Sequence, residues 1–325
     1  MTGKSSTRSS SKAVPRVVCL CGATGVGKTS LVTELFPGVA EVIVADSMQV
    51  YRGLDIGTAK PGAAERAEVP HHLIDIKDPH ETFDVAEFVE RAERVIADVQ
   101  TRGRIPIVSG GTAFYFRTLV CGLPETPPAD PDVRKHVAEF IARNGAARAH
   151  EELARRDPVS AQRIAVSDLY RIARALEVSI ATGRPLSSFR RPDRPRAEFD
   201  WTLVYLDRER AELYRRIDAR VGAMFDAGLV DELERLFAAG CRIEYPAMRG
   251  IGYREFFEAS YFETPPAERA RLMPVIKQAI ERNSRRYAKR QRTFFTRLPG
   301  IVTVDPDDTD RIIDLVDAAR VFASP

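Results

Sequence analysis

The chain has 325 residues, 44% hydrophobic and 29% charged, so it can bury one large core or two moderate ones without disulfides. Its 49 basic and 46 acidic residues leave a net charge of only +3, so the overall charge gives only weak support for nucleic-acid binding. No apolar run reaches membrane-span length, and residues 1–13 lack the apolar segment of a signal peptide. We therefore expect a cytoplasmic protein, with no membrane partner and a disordered tail at 1–13. The four cysteines show no metal-binding spacing and are expected to be reduced core thiols.

The first predicted element is a strand at 16–21, which leads into Gly22-Ala23-Thr24-Gly25-Val26-Gly27-Lys28-Thr29 and a helix at 28–36. This is the pattern G-x-x-x-x-G-K-[ST] of a phosphate-binding loop, in the strand-to-helix context that the loop requires. Glycines let backbone N–H groups turn toward phosphate oxygens, and Lys28 and the helix N-terminus add positive charge. Thr29 offers a hydroxyl to a phosphate-bound Mg²⁺. The loop predicts a di- or triphosphate ligand; an ordinary glycine turn is the alternative.

The second predicted strand, 41–45, ends at Asp46. Because the carboxyl ends of parallel strands line the ligand crevice, Asp46 is expected beside the phosphate loop. Three interpretations remain open at this point. Asp46 is a base that acts on an acceptor nucleophile, a metal ligand, or a residue that caps a turn or helix.

Further strands are predicted at 72–76 and 104–108, with helices at 84–101 and 112–120. The sequence Ser109-Gly110-Gly111-Thr112 follows the strand at 104–108. Paired glycines permit close backbone approach, and Thr112 can cap the next helix, contact a ligand, or do both. Many nucleotide hydrolases carry a carboxylate here, so its absence argues against an ATPase motor. The adjacent His71 and His72 have poor metal-binding geometry and receive no role.

A Pro-rich break at 122–131 precedes an Arg-rich helical stretch that ends in a linker near 196. A strand at 201–206 then returns to the sheet, followed by helices at 207–238 and 265–297 and a final strand and helix. The alternation predicts a P-loop NTPase-like α/β fold, a parallel sheet flanked by helices, with an all-helical insertion domain. We place the catalytic core at 14–125 and 198–325, and the insertion at 126–197.

The segment 282–297 carries seven basic residues and no acidic one, and Arg282, Arg285, Arg286, Lys289 and Arg290 share one helical face. Charge runs are usually solvated faces. A cationic ridge beside aromatic residues also suits a phosphate backbone and stacked bases, so nucleic acid is the favoured partner.

Several motifs together carry a family resemblance. They are Gly22–Thr29, Asp46–Tyr51 continuing to Asp55–Pro61, Gly110-Gly111-Thr112, Gly122-Leu123-Pro124 with Asp130–Arg134, Arg171–Glu177, Gly252–Glu255 and Ala288–Gln291. In this order they resemble the bacterial tRNA dimethylallyltransferases, also called tRNA isopentenyltransferases, over about 16–305. The phosphate loop alone would not be specific, but the combination is.

The resemblance implies transfer of a dimethylallyl group from dimethylallyl diphosphate to N6 of adenosine 37, in tRNAs that read codons beginning with U. The products would be N6-isopentenyladenosine and diphosphate, and the enzyme would be monomeric. The phosphate loop would hold the diphosphate with Mg²⁺ on Thr29. Asp46 would accept the N6 proton, and Thr112 would steady that base or the leaving group. Arg216 would contact the diphosphate, although its neighbours Arg215 and Arg220 are alternatives.

By the same resemblance, residues from both predicted domains would face the anticodon stem-loop with its A36-A37-A38 sequence. They are Asp46, Ser47, Met48, Gln49, Thr112, Arg134, Tyr170, Arg171, Ile172, Ala173, Arg174, Arg249, Gly250, Ile251, Gly252, Tyr253, Arg254, Lys289, Arg290, Gln291, Arg292, Thr293, Phe294, Phe295 and Thr296.

Two departures from the family pattern are visible. Phe294 stands where members commonly have Trp, which keeps a stacking surface but removes an N–H donor. Residues 165–168, Ala-Val-Ser-Asp, replace a segment that is often His/Asn-Pro-Asn-Asp.

The rival functions are a kinase on the same fold, an RNA-binding nucleotide switch, and an isopentenyltransferase that uses free adenylate.

Overall fold

The structure is a computed structural model that describes residues 14–128, 130–190 and 192–318. The predicted tail at 1–13 lies outside the described residues. The chain forms two compact units. The first, an α/β unit, comprises the described residues before 121 and after 194, and the second comprises Cys121–Arg194. The sequence pattern had placed the insertion at 126–197.

Within the described residues, the α/β unit contains one six-stranded parallel sheet with the strand order β3-β2-β4-β1-β5-β6. The strands are β1 (Arg16–Gly22), β2 (Ala40–Ala45), β3 (His71–His72), β4 (Ile105–Gly110), β5 (Asp200–Leu206) and β6 (Val302–Val304). The central strands are buried along almost their whole length, because helices cover both faces of a parallel sheet. Their carboxyl ends therefore meet at one edge, where the candidate site lies.

Helices of the α/β unit connect and cover these strands. They are α1 (Lys28–Leu35), α2 (Ala63–Glu68), α3 (Val85–Thr101), α4 (Ala113–Cys121), α8 (Arg210–Asp226), α9 (Leu229–Ala238), α10 (Arg254–Glu258), α11 (Met273–Phe295) and α12 (Thr309–Ala318). The amphipathic α3 begins where Asp84 accepts a hydrogen bond from the Glu87 N–H, and its apolar stripe packs inward. No helix of the described ranges is both long enough and apolar enough to cross a membrane.

The α/β architecture is confirmed, while three predicted elements differ in extent. The strand predicted at 72–76 is reduced to His71–His72, since Leu73 and Asp75 both adopt positive φ and break the extended backbone. The helix predicted at 207–238 is two helices, separated at Gly228 with φ +95°. The helix predicted at 265–297 begins as a 3₁₀ turn at Pro266–Leu272 before α11.

The second unit is helical throughout its described elements. It contains α5 (Pro131–Arg156), which is interrupted at Gly145, α6 (Pro158–Arg163), α7 (Leu169–Thr182) and a 3₁₀ turn at Leu186–Ser188. An apolar core that includes Val137, Leu153 and Leu176 joins α5 to α7. The buried Asp157 carboxylate accepts hydrogen bonds from Ser160 and Ser187, which ties the start of α6 to the 3₁₀ turn.

Candidate active site

A cavity of about 650 Å³ opens at the carboxyl edge of the sheet in the α/β unit. Its wall is formed by the phosphate loop, the ends of β2 and β4, the 58–61 loop, and single faces of α8 and α11. The lining includes Thr24, Gly25, Gly27, Lys28, Thr29, Asp46, Gln49, Thr58, Gly110, Gly111, Arg216, Arg220, Tyr287 and Gln291. The chain thus gathers polar groups from six separate stretches around one volume.

The phosphate loop has the backbone that its glycines predict. Gly25 and Gly27 adopt φ of +81° and +107°, a region that side chains disfavour. The Lys28 ammonium donates to the carbonyls of Gly22 (2.8 Å) and Ala23 (3.0 Å), so it lies over the loop. Burial, followed by the nearby Arg220 guanidinium, lowers the pKa of Lys28 to about 8, and the Asp46 carboxylate opposes the shift. Lys28 is therefore mostly charged at neutral pH, and the Arg220 guanidinium is a second cation nearby.

Two arginines of α8 bring further positive charge to the cavity. The Arg216 Nε donates to the Gly25 carbonyl at 3.0 Å, which places this guanidinium on the phosphate loop. The Arg220 Nη2, one helical turn later, donates to the Thr58 carbonyl at 3.2 Å on the opposite wall. Arg215 is exposed. The arrangement selects Arg216 and adds Arg220 as a second diphosphate candidate, because residues at i and i+4 share a helical face.

Asp46 holds a turn with one carboxylate oxygen. Its Oδ1 accepts from the N–H groups of Met48 (2.9 Å) and Gln49 (3.4 Å). Within the described part of the chain, Oδ2 has no hydrogen-bond donor. The Thr112 hydroxyl accepts from the Ser47 N–H at 2.9 Å and donates to Ser47 Oγ at 3.3 Å, fixing the same turn. One oxygen of Asp46 therefore has a capping role, and the other is available to a ligand.

The inner face of α11 closes the cavity beside the phosphate loop. The Gln291 Nε2 donates to the Gly111 carbonyl at 2.7 Å, while its Oε1 accepts from the Thr24 N–H at 3.0 Å. The Tyr287 hydroxyl also donates to the Gly111 carbonyl, at 3.2 Å. Burial, reinforced by the Asp46 carboxylate, raises the pKa of Tyr287 to about 12, so the phenol keeps its proton. A Cβ on Gly111 would lie 2.5 Å from the Gln291 amide nitrogen, so a side chain there would displace the Gln291 carboxamide.

A buried carboxylate shapes the loop on the opposite wall. Glu232 of α9 is 2% exposed and accepts hydrogen bonds from the N–H groups of Asp55, Ile56 and Gly57 and from the Tyr253 hydroxyl. The segment that follows supplies the Thr58 carbonyl to Arg220. No motif in the sequence marks Glu232, because its three backbone partners lie 175–177 residues away in the chain.

The residues present fit a Mg²⁺ that is shared with a diphosphate. The described residues contain no cluster of three or more His, Cys, Asp or Glu side chains that could hold a metal ion by themselves. Thr29 lines the cavity, and no hydrogen bond of its hydroxyl occurs within the described ranges. One protein oxygen combined with substrate phosphate oxygens is a usual way to bind this ion.

The outer face of α11 presents the cationic ridge. Arg282, Arg286, Lys289 and Arg290 are exposed, and none forms an ion pair with a described residue. Arg285 differs from the prediction, because its guanidinium pairs with Asp218 of α8. Arg292 is half-exposed and pairs with Asp207 at 2.8 Å.

Six of the residues expected to face RNA are buried, and two of them are Gly250 and Gly252. Ile172, Tyr253 and Phe295 are each 0% exposed, and Gln291 is 3% exposed. Phe295 packs against the rings of Phe116 and Tyr205. The side chains of Ile172, Tyr253 and Phe295 therefore have no exposed surface to offer RNA, whereas Gln291 lies in the cavity wall.

Other expected RNA contacts are exposed or half-buried. In the helical unit Tyr170 is 84% exposed at the start of α7. Arg134 and Arg174 both lie near the Glu177 carboxylate, at 3.8 and 3.5 Å. The rest of this group is Arg171, Ala173, Arg249, Ile251, Arg254, Lys289, Arg290, Arg292, Thr293, Phe294 and Thr296.

The segments 46–49 and 249–254 meet in the α/β unit. A Cβ on Gly250 would lie 2.4 Å from the Met48 methyl group, so the thioether rests on this glycine. The Gln49 amide donates to the Thr58 carbonyl at 3.2 Å, and the exposed Arg249 donates to the Glu244 carbonyl. The turn that carries Asp46 is thus braced by one loop that is close in sequence, at Thr58, and by one that is distant, at Gly250.

Comparison with known proteins gives consistent matches. A family model described as IPP transferase matches residues 49–298. A tRNA dimethylallyltransferase of Geobacter sulfurreducens is 43% identical over 300 residues, which cover 91% of this chain and 94% of that protein. A second, from Methylibium petroleiphilum, is 44% identical and covers 93% of each chain.

Solved structures of similar enzymes also match this chain. The tRNA isopentenylpyrophosphate transferase of Bacillus halodurans is 34% identical, with a TM-score of 0.65 over 95% of this chain and 98% of that one. A eukaryotic dimethylallyltransferase acting on tRNA is 25% identical, with a TM-score of 0.73 over 91% of this chain and 75% of that one.

Proposed function

The chain belongs to the IPP transferase family, and from that premise we propose that it transfers a dimethylallyl group from dimethylallyl diphosphate to N6 of adenosine 37 in tRNA. The observation that carries the proposal is the shared cavity. Lys28, Arg216 and Arg220 bring positive charge to its wall, and Asp46 has a free carboxylate oxygen there. A diphosphate leaving group and a proton acceptor are the two requirements of prenyl transfer to an amine.

In the proposed reaction the N6 nitrogen attacks C1 of the allylic donor, and the C1–O bond breaks. The electron pair of that bond leaves with the diphosphate, while the N6 proton passes to the Asp46 carboxylate. Positive charge from Lys28 and the two arginines stabilises the leaving group. Mg²⁺, when bound to Thr29 and the diphosphate, would neutralise additional negative charge.

Thr112 acts in this proposal by fixing the turn that carries Asp46, which is the contact that its hydroxyl makes with Ser47. The exocyclic amine of adenine is a weak nucleophile, so positioning has to supply much of the rate enhancement. To enter the cavity, the adenine has to leave its stack in the anticodon loop.

For the acceptor, we propose that the exposed cations of α11 bind tRNA phosphates and that Tyr170 and Phe294 offer stacking surfaces. The A36-A37-A38 sequence, tRNAs for codons that begin with U, a monomeric state and a cytoplasmic location belong to the same proposal. They follow from the family resemblance.

A transfer assay tests this proposal. Purified protein, Mg²⁺, dimethylallyl diphosphate and unmodified tRNA carrying A36-A37-A38 should give N6-isopentenyladenosine and diphosphate, measured by mass spectrometry of tRNA nucleosides. A matched tRNA with guanosine at position 37 should stay unmodified, and ATP should be neither required nor hydrolysed. ATP-dependent phosphorylation of a small molecule without prenyl transfer would favour the kinase alternative.

A further inference from the structure

Gln291 lies in a segment expected to bind RNA, but its environment is that of the catalytic machinery. The side chain is 3% exposed, and both of its carboxamide atoms are bonded to main-chain groups of other segments. One partner, Thr24, belongs to the phosphate loop. The other, Gly111, immediately precedes Thr112, which holds the Asp46 turn. Gln291 thus joins the segment that would hold the leaving group to the segment that orients the base.

The Gln291 carboxamide, which bridges Thr24 and Gly111, is closely packed against its neighbours. A Cβ on Gly111 would lie 2.5 Å from the Gln291 Nε2, so any side chain there would displace the carboxamide. Gly110 is more tightly constrained, since its Cβ would lie 2.2 Å from the Ala45 carbonyl oxygen at the end of β2. The ends of β1, β2 and β4 are therefore tied together through two glycines and one carboxamide.

The hydrogen bond from Thr24 has a chemical consequence. Its N–H belongs to the loop that would bind diphosphate, but it donates to Gln291 Oε1. The Lys28 ammonium likewise donates to the loop carbonyls of Gly22 and Ala23. The loop is thus held in its shape by protein groups, and its first turn is anchored to α11.

We propose that Gln291 is a positioning residue for prenyl transfer, which sets the distance between the diphosphate site and the Asp46 turn, and that it is not part of the surface that binds tRNA phosphates. This inference rests on the proposed function. Its neighbours Lys289 and Arg290 are exposed, whereas Gln291 is buried, so adjacent residues have different roles. Loss of the bridge should slow the chemical step while leaving tRNA affinity intact.

The test uses the full-length protein and three variants: Gln291→Met, Gly111→Ala and the double variant. Methionine fills the same volume without either hydrogen bond, and Gly111→Ala disrupts the same contact from the other side. Each single variant should lower the single-turnover rate by about 10–100-fold, the effect of misplacing reacting groups by about 1 Å. The double variant should be little slower than either single one, because both changes remove one interaction.

Binding assays without turnover separate this inference from the proposed function. The dissociation constant for tRNA should change less than about twofold in Gln291→Met, but rise in Arg290→Ala. Gln291→Glu keeps an acceptor for Thr24 but adds negative charge beside the loop, so it should weaken binding of inorganic diphosphate. Gln278→Met makes the same substitution at an exposed position of the same helix that does not line the cavity, and it should leave the single-turnover rate unchanged.

Three results would overturn the inference. They are weaker tRNA binding by Gln291→Met with a normal chemical rate, additive rate losses in the double variant, and a rate loss in Gln278→Met equal to that in Gln291→Met. Absence of prenyl transfer by the unaltered protein would instead refute the proposed function. The diphosphate and tRNA measurements would still show whether Gln291 shapes the loop.

Discussion

The phosphate loop and helix α11 contribute to the same cavity in different ways. In the loop, five of the eight residues at 22–29 line the cavity, and its shape depends on the backbone and on two glycines with positive φ. In α11, consecutive residues point in different directions, so Gln291 reaches the cavity while Lys289 and Arg290 face outward. Residue roles can therefore be carried over from the family to this chain for the loop as one unit. In the helix they can be carried over only for residues that lie on the same face.

The strongest test of this comparison concerns the base that both regions surround. Asp46→Ala should lower the single-turnover rate by about 10²–10⁴-fold, the usual contribution of a positioned base. The affinity for tRNA should fall much less, because Asp46 makes no contact with the α11 ridge. Asp46→Asn, which can still accept the Met48 and Gln49 hydrogen bonds, separates the two roles of the side chain. Near-normal transfer by this variant would leave turn capping as the role of Asp46.

Phe294 and Phe295 test the division of α11 into faces. Phe295 is 0% exposed between Phe116 and Tyr205, so Phe295→Ala should reduce the free energy of unfolding by about 3–5 kcal/mol. Phe294 is only half-buried, and Phe294→Ala should cost less stability while weakening tRNA binding. Denaturant unfolding and tRNA titrations measure the two effects. Equal stability losses would contradict the division.

Lys28 tests the electrostatics of the loop. Its pKa of about 8 means that the free protein loses this charge as the pH rises through 8. A bound diphosphate favours the charged form, so donor affinity should be constant below pH 8 and fall above it, by up to ~10-fold per pH unit. Lys28→Ala should bind the donor about 10–100-fold more weakly than the unaltered protein does, as expected for the loss of hydrogen bonds to a charged group.

Calorimetric titration with inorganic diphosphate between pH 6.5 and 9.5 measures this dependence. Lys28→Arg is the matched control, because its charge persists across the range and its profile should be flat. A steep decline in Lys28→Arg as well would assign the titration to another group.

The smallest expected effect concerns the outer face of α11. Lys289→Ala combined with Arg290→Ala should weaken tRNA binding and reduce the slope of log K against log salt by ~0.7–0.9 per lost phosphate contact. Arg285→Ala is the internal comparison, since Arg285 pairs with Asp218 and should change the slope less. Binding of inorganic diphosphate should be the same in both variants. An unchanged salt slope in the double variant would make the ridge a solvated face.

The sequence by itself was sufficient for features that depend on neighbouring residues. The phosphate loop, the parallel α/β sheet and the position of Asp46 at a strand end all follow from local patterns, because glycine conformations, strand burial and loop chemistry act over a few residues. The breaks at Gly228 and near Leu73 were missed. Each depends on one or two residues with positive φ, namely Gly228 in the first case and Leu73 and Asp75 in the second, inside an otherwise regular pattern.

Only the tertiary structure decided which distant side chains reach the cavity. Arg216 is bonded to Gly25 across 191 residues of sequence, and Gln291 to Thr24 across 267. A helical projection of α11 could have separated Gln291 and Phe295 from the cationic face, since both follow the buried stripe of Ile276, Ile280 and Ala288. It could not have shown what that stripe packs against. The partner of a buried polar group is fixed by the packing of the whole unit, since such a group is stable only where its hydrogen bonds are satisfied.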